Sequence, residues 1–201
     1  MNHAIKLHGN SSVYLAIHDS EGDMLTAVND MSLLDRFSSQ LLEKMLAFSE
    51  GNIHDIDHFL RVWSYARAIG ELEGLDSETQ FILECAAISH DIACPLCRAK
   101  YGNTNGKYQE LEGEALARDF LKDSGLSREQ IDRIVFLIAH HHTFTGVEGL
   151  DWQVLLEADY LANATENNWS KQSAEQFLEK LCKTAAGARL IRTVLCIGDH
   201  Q

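Results

Sequence analysis

Apolar residues recur at intervals of three and four along most of the 201-residue chain, which is the spacing of one buried face of an α-helix. The first clear stripe begins after Met31 and ends at Gly51-Asn52, a pair that favours a turn. Its members are Leu33, Leu34, Phe37, Leu41, Leu42, Met45 and Leu46. The pattern predicts a first core helix between Met31 and Gly51.

Further stripes predict helices over residues 55–74, 76–91, 109–122, 127–142, 151–163, 173–183 and 185–196. Asp55 and Asp151 are the expected caps of two of them, and Ser127 with Gln130 forms a capping box for another. Segment 93–108 contains Pro95, Gly102 and Gly106 and is predicted to be a loop. Residues 1–30 show no helical stripe, so we expect an irregular extension without chemistry, followed by one all-α domain over 31–201.

Composition narrows the class of protein. The formal charge of -13 repels phosphate backbones and anionic lipids, so nucleic acid and membrane surfaces are not expected partners. No apolar run is as long as a membrane span, and the chain start lacks the hydrophobic stretch of a signal peptide. The five cysteines are odd in number and lack framework spacing. We therefore expect a cytoplasmic globular protein.

Two of these cysteines form a Cys-x-x-Cys pattern at Cys94 and Cys97. No second pair follows at the spacing of a zinc site. A structural role is the favoured interpretation, and a redox or zinc role is the alternative.

The chain contains three His-Asp neighbours, at His18, His54 and His90, and the third differs from the others. His90-Asp91 closes a strongly apolar run that begins at Phe81 and is apolar on nearly all sides. Such a run carries the imidazole and the carboxylate into the protein interior. A buried carboxylate is costly unless a cation or hydrogen-bond donors compensate it, so the pair suggests a divalent metal.

Other titratable residues also fall on apolar helix faces. His58 shares a face with Val62 and Ile69, and Asp159 shares one with Leu155 and Leu156. His141 and His142 follow the apolar face of the helix that precedes them. Each residue alone fits an ordinary hydrogen-bonded core position. Several such groups in one small core are satisfied most simply by one shared cation.

The order His58, His90-Asp91, Asp159 resembles the His…His-Asp…Asp signature of the HD-domain superfamily of metal-dependent phosphohydrolases. The likeness covers about residues 40–195 and is closest to a bacterial HD-hydrolase subgroup. The strings that carry it are His58-Phe-Leu-Arg61-Val, His90-Asp-Ile-Ala-Cys-Pro, Lys100-Tyr-Gly, Lys107-Tyr-Gln-Glu-Leu-Glu-Gly113, His140-His-His-Thr-Phe-Thr-Gly146 and Glu157-Ala-Asp159-Tyr-Leu-Ala-Asn163.

The resemblance implies a helical bundle with one divalent ion in its core, bound by His58, His90, Asp91 and Asp159. Dinuclear relatives bind a second ion through a further His and a His pair. The pair corresponds to His141 and His142, but Gln109 stands where the further His is expected, with Glu110 and Glu112 nearby. The resemblance therefore predicts one tightly held ion per chain.

A mixed set of imidazoles and carboxylates suits Mn, Fe, Co, Ni or Zn. Hydrolysis by an activated water is the simplest chemistry for such an ion, and Asp91 is the candidate to orient or deprotonate that water. Segment 92–109 contains Lys100 and Lys107 but no acidic residue, which favours an anionic ligand over a merely solvated loop. His141 and His142 are the other candidate catalytic residues, as hydrogen-bond donors to substrate phosphate.

We therefore predict a phosphohydrolase for a small phosphorylated molecule, a nucleotide or another phosphomonoester. Its candidate substrate-binding residues are Lys100, Lys107, Arg61, Gln109, Glu112 and His140, although a plain salt bridge fits Glu112 equally well. A di-iron oxygenase and a non-catalytic nucleotide sensor are the alternatives. The sequence does not indicate an oligomeric state.

Overall fold

Local sequence signals set most helix boundaries in the computed structural model, which describes residues 14–18 and 24–198. The helices are α1 (Asp30–Phe48), α2 (Ile53–Glu73), α3 (Ser77–Ser89), α4 (Cys94–Tyr101), α5 (Gly106–Leu121), α6 (Arg128–Ile138), α7 (Leu150–Glu166), α8 (Lys171–Lys180) and α9 (Ala185–Val194). The predicted all-α domain is confirmed.

The extension is not wholly irregular. Strands β1 (Tyr14–His18) and β2 (Met24–Asn29) pair in antiparallel register, with Tyr14 opposite Asn29 and a register shift between Leu15 and Ile17. The prediction of an irregular segment is wrong for these strands, because a search for helical stripes does not register two short extended runs. Residues 1–13 and 19–23 lie outside the described residues.

The chain divides into a first unit that ends at Gln40 and a second that begins at Leu41. This division falls inside α1, whereas the sequence suggested a boundary after residue 30. The second unit contains all the predicted metal ligands. Across the described residues, no helix combines the length and the apolar character that a membrane span requires.

Most helix starts follow the predicted capping chemistry. Asp76 caps α3, and Ser127 with Gln130 forms the predicted capping box of α6. Two predicted caps are wrong by a few residues, because Asn52 caps α2 and Gly149 precedes α7. Asp55 and Asp151 lie in the first turns of those helices instead, where a carboxylate is also favourable.

Helix α4 lies where the sequence predicted a loop. Pro95 occupies its first turn and Gly102 ends it with a left-handed φ of 73°. Proline is well tolerated at a helix start, and glycine is the usual residue just beyond a helix end. Two of the three residues taken as loop markers therefore stand in the first turn and just beyond the end of a helix of eight residues.

The core forms where α2 packs against α3 and α7, and α3 packs against α6 and α7. Phe59 of α2, Leu83 of α3, Ile134 of α6 and Leu155 of α7 are fully buried. Truncating such a side chain to Ala typically costs about 2 to 5 kcal/mol. The candidate site residues lie on or next to the same inward faces. The packing of these helices therefore fixes their positions.

Candidate metal centre

Four separate elements carry the inward-facing polar residues to one place. His58 lies in the second turn of α2, and His90 and Asp91 follow the last turn of α3. Asp159 lies in the middle of α7, and His141 lies in the turn after α6. The two residues His90 and His141 have no solvent exposure, while His58 and Asp159 are exposed by 5% and 6%. The site is therefore a core site.

Five side chains converge in two overlapping groups, and the ligand atoms within each group are close enough to hold an ion. His58 Nε2 lies 3.2 Å from His90 Nε2 and 3.1 Å from Asp159 Oδ1. Asp91 Oδ2 lies 3.5 Å from His58 Nε2, while Asp91 Oδ1 lies 3.6 Å from His90 Nε2. His141 Nε2 is 3.4 Å from the same Asp91 Oδ1. These residues form two overlapping triads, His58-His90-Asp159 and His90-Asp91-His141.

Each of the three imidazoles is anchored through its other nitrogen. Nδ1 of His58 is 2.9 Å from Glu166 Oε2, Nδ1 of His90 is 2.8 Å from Ala87 O, and Nδ1 of His141 is 2.6 Å from Ile138 O. Because each partner is an acceptor, each Nδ1 donates. All three Nε2 atoms then face the cluster, which is the arrangement that metal-binding histidines use.

The electrostatics of the cluster favour a cation. Burial lowers the pKa of His58, but its hydrogen bonds to Asp159 and Glu166 outweigh burial and raise that pKa to about 11. Burial raises the pKa of the Asp91 and Asp159 carboxyls, yet the surrounding imidazoles outweigh it and hold both pKa values well below the ordinary range. Without an ion, a proton on His58 balances these carboxylates.

The donor set fits a divalent transition ion. With bonds of about 2.1 Å, neighbouring ligand atoms around one ion lie about 3.0 to 3.4 Å apart, close to the separations found here. Among the described residues, His141 Nε2 is buried without a hydrogen-bond partner, as expected of an atom that has a ligating role. His58, His90, Asp91 and Asp159 would hold the ion, and the structure adds His141 to the candidate ligands.

Glu166 is a residue of the site that sequence reasoning missed. It lies seven positions after Asp159 on the same face of α7, so helical spacing could have identified it. Between them, Asn163 Nδ2 donates to Asp159 Oδ1 over 2.8 Å. Arg61 Nε lies 4.0 Å from Glu166 Oε1, and the Arg61 side chain is 47% exposed. The carboxylate that anchors His58 is thus bordered by a partly exposed guanidinium.

The cationic side chains of segment 92–109 are less available to an anion than the sequence suggested. Arg98 binds both oxygens of Asp55, and Lys100 Nζ donates to Glu112 Oε1 over 2.7 Å. The segment itself contains no carboxylate, but other helices supply them. The salt-bridge interpretation of Glu112 is therefore the one that the structure supports. Lys107 is exposed, with Nζ 5.1 Å from the Tyr108 ring centre.

The remaining predicted residues surround the turn after α6. His140 Nδ1 lies 2.7 Å from Phe136 O, and Trp152 Nε1 donates to the His140 carbonyl. These contacts anchor the turn to α7. The ring centres of His142 and His141 are 4.1 Å apart, while Gln109 is buried on α5 with Nε2 donating to Thr104 O.

The Cys-x-x-Cys pair has the surroundings of structural cysteines. Cys94 and Cys97 are buried and free, and neither belongs to a candidate metal group among the described residues. Burial raises the pKa of both thiols, which keeps them protonated and weakly reactive. A redox role has no support from these surroundings.

Comparison with known families agrees with this geometry. The family described as HD domain matches residues 55–182, which include every member of the cluster. The chain therefore belongs to the HD domain family, whose members are typically metal-dependent hydrolases. A search of curated proteins found no match.

Proposed function

We propose that this HD-domain protein is a metal-dependent phosphohydrolase that acts on a small phosphorylated molecule, a nucleotide or another phosphomonoester. One observation carries the proposal. Three imidazole Nε2 atoms and two carboxylates from four elements meet in two overlapping triads, and partly exposed Arg61 lies next to Glu166, the partner of His58 Nδ1. Hydrolysis at an anionic centre uses both features.

The roles of the residues follow from their chemistry. A bound ion would supply Lewis acidity toward water and toward a phosphoryl oxygen. His58, His90, Asp91 and Asp159 would hold it, since His58, His90 and Asp159 form one triad of facing atoms and Asp91 joins His90 in the other. Asp91 lies between the imidazoles with one oxygen toward His58 and the other toward His90 and His141. Because its pKa is low, Asp91 is a weak base. It is therefore better suited to orient an attacking water than to take up a proton from that water.

The substrate side is proposed from charge and exposure. Arg61 borders an open groove on α2 together with Asp57, Leu60, Ser64 and Tyr65. A guanidinium there can donate paired hydrogen bonds to phosphate oxygens. Lys107 is the better of the two predicted lysines for the same purpose, because Lys100 is already paired with Glu112.

Elemental analysis of the purified protein, followed by a phosphoester panel with each of Mn, Fe, Co, Ni and Zn restored, tests the function. We expect about one ion per chain and metal-dependent release of phosphate. Lys107→Ala should lower kcat/KM about tenfold, the scale of one hydrogen bond to a charged group, without changing metal content. Lys171→Ala is the matched control, since Lys171 is exposed on α8.

Three outcomes would contradict the proposal. A loaded protein that releases phosphate from none of the esters is not a phosphohydrolase for this class of substrate, and a nucleotide sensor becomes the better description. Two tightly held irons per chain would favour the oxidative alternative instead. If Lys107→Ala behaves like Lys171→Ala, the anion-binding role of the segment is wrong.

A further inference from the structure

Two buried polar atoms beside the metal cluster have no partner within the described part of the chain. They are Gln109 Oε1 and His142 Nε2, and the Gln109 side chain belongs to a residue that is only 6% exposed. Buried polar atoms in folded proteins nearly always meet protein, water or a ligand. These two atoms therefore need a common explanation if they lie together.

Packing between α5 and the turn after α6 brings the two residues to the same helix-turn interface. A Cβ on Gly106 would lie 2.5 Å from His142 Cδ2, so the His142 ring rests on the bare backbone of the first turn of α5. A Cβ on Gly113 would lie 3.2 Å from Ile138 Cγ2. Gln109 lies between these glycines on the same helix face. Its side chain therefore faces the segment that runs from Ile138 to His142.

The pair adjoins the candidate metal ligands without resembling a second cation site. The His142 ring is 4.1 Å from the ring of His141, which belongs to the cluster. Gln109 Nε2 donates to Thr104 O over 2.9 Å, which fixes the amide with Oε1 as an acceptor. An amide oxygen beside an imidazole brings no negative charge to balance an ion.

The carboxylates that could supply that charge are engaged elsewhere. Glu110 Oε1 accepts from His142 N over 3.0 Å and from the Thr143 hydroxyl over 2.9 Å. Glu112 Oε1 accepts from Lys100 and from the Tyr101 hydroxyl. Neither carboxylate replaces the imidazole that dinuclear relatives have at the position of Gln109. These residues do not fit a second ion.

We propose that Gln109 and His142 form a metal-free subsite that binds a hydroxyl group of the substrate. A hydroxyl both donates and accepts, so it can donate to Gln109 Oε1 while it accepts from an Nε2–H of His142. The proposal rests on the proposed phosphohydrolase function and narrows its substrates. They are phosphate esters of polyols, sugars or nucleosides rather than of simple alkyl alcohols.

A pair of substrates tests the subsite, namely glycerol 3-phosphate and propyl phosphate, which lacks the hydroxyls. We expect the wild-type protein to prefer glycerol 3-phosphate by about tenfold or more in kcat/KM, the scale of one or two hydrogen bonds. Gln109→Met should reduce that ratio to about threefold or less. The ratio is unaffected by the folded fraction of a preparation, because both substrates meet the same molecules.

Gln172→Met is the matched control, since Gln172 is exposed on α8, and it should keep the wild-type ratio. An unchanged ratio in Gln109→Met overturns the subsite, as does a wild-type protein that hydrolyses both esters equally well. Phosphate release from panel esters whose alcohol has no further hydroxyl, but not from glycerol 3-phosphate, also overturns the subsite, whereas release from no ester at all would instead refute the proposed function.

Metal content gives a readout that is independent of turnover. Wild-type protein should hold one ion per chain, whereas Gln109→His should gain part of a second, because it restores an imidazole beside His141 and His142. Two tightly held ions in the wild-type protein would show that a metal occupies this position and would overturn the subsite.

Discussion

Two buried carboxylates lie two positions apart on α7, and they have opposite surroundings. Asp159 faces the imidazoles of His58 and His90 and also accepts from Asn163. Glu157 has no exposed surface and faces the start of α9 on the other side of the helix. Because successive residues on an α-helix are rotated by about 100°, these two side chains point to nearly opposite sides.

The partners of Glu157 are donors from the chain itself. Glu157 Oε1 accepts from Lys183 N over 2.7 Å, from Thr184 N over 3.0 Å and from Gln153 Nε2 over 2.7 Å, while Oε2 accepts from the Thr184 hydroxyl. A helix N-terminus also favours negative charge. Gly187 leaves the space that this carboxylate occupies, since a Cβ there would lie 1.9 Å from Oε2.

The difference shows what identifies a metal site in a buried core. Glu157 is satisfied by neutral donors and needs no cation. Asp159 instead shares its surroundings with imidazole Nε2 atoms, which are themselves potential ligands and whose Nδ1 atoms are already engaged. A buried carboxylate alone is therefore weak support for a metal site, whereas several acceptors facing one another are strong support.

Of the substitutions that test this contrast, removing the charge of Asp159 should have the largest effect. Asp159→Asn should lose bound metal and phosphoester hydrolysis together, by more than about a hundredfold, since even outer-shell changes cost about ten- to a hundredfold. Asp123→Asn is the matched control, because Asp123 is exposed at the end of α5. His58→Ala and His54→Ala form a second pair, with His54 80% exposed at its side chain. Retention of metal by Asp159→Asn or His58→Ala would contradict the ligand assignment.

Removing the other carboxylate should destabilise the fold instead. Glu157→Ala leaves the buried N–H of Thr184 and the partly buried N–H of Lys183 without an acceptor, which should lower the free energy of unfolding by about 3 kcal/mol. For a chain of this size the Tm should fall by about 6 to 12 °C in thermal unfolding. Glu157→Gln keeps one acceptor oxygen and should lose less. If Glu157→Ala loses metal at an unchanged Tm, the two faces of α7 are not functionally distinct.

Sequence reasoning identified the members of the buried cluster for a physical reason. A polar residue at an apolar position of a helical stripe is buried, whatever the details of packing, so His58, His90 and Asp159 could be recognised one by one. That their atoms meet is a property of the fold, which stripes do not contain. Glu166 was missed because it is not a direct ligand, although it lies two turns further along the same face.

The charge pattern of a segment predicted its contacts less well than the apolar pattern of a helix predicted its buried positions. Segment 92–109 has no acidic residue, yet Arg98 is paired with Asp55, which lies 43 positions earlier. Lys100 is paired with Glu112, twelve positions later. The apolar stripe of a helix is contained in its own residues, but the partner of a charge comes from whichever element packs nearby. Helix α4 was missed for a similar reason, since its proline and glycine mark helix ends as readily as loops.

Glu166 tests how far the functional face of α7 extends beyond direct contact with an ion. It holds Nδ1 of His58 and so turns Nε2 toward the cluster. Glu166→Gln should weaken metal binding about tenfold, the lower end for residues that orient a ligand. Competition with a chelating dye measures this affinity, and fully loaded Glu166→Gln should keep most of its kcat. Glu179→Gln, exposed on α8, is the control. Unchanged affinity in Glu166→Gln would limit the metal centre to its direct ligands.

The smallest expected effect concerns the number of protons that the protein releases when it binds an ion. In the metal-free protein the raised pKa of His58, about 11, keeps this residue charged at pH 8. Its ion pairs with Asp159 and Glu166 contribute stability that is fully present below the unfolded pKa of about 6.5 and is lost as pH rises toward 11.

Ligation needs the neutral imidazole, so an ion that binds must displace this proton. We expect at least about one proton to be released per ion at pH 8. Calorimetric titration with metal in two buffers of different ionisation enthalpy measures the number. Glu157→Gln should leave it unchanged because Glu157 faces the start of α9, away from the cluster. Binding without any proton release would mean that His58 is neutral before the ion arrives, and that the cluster does not hold a proton in place of a cation.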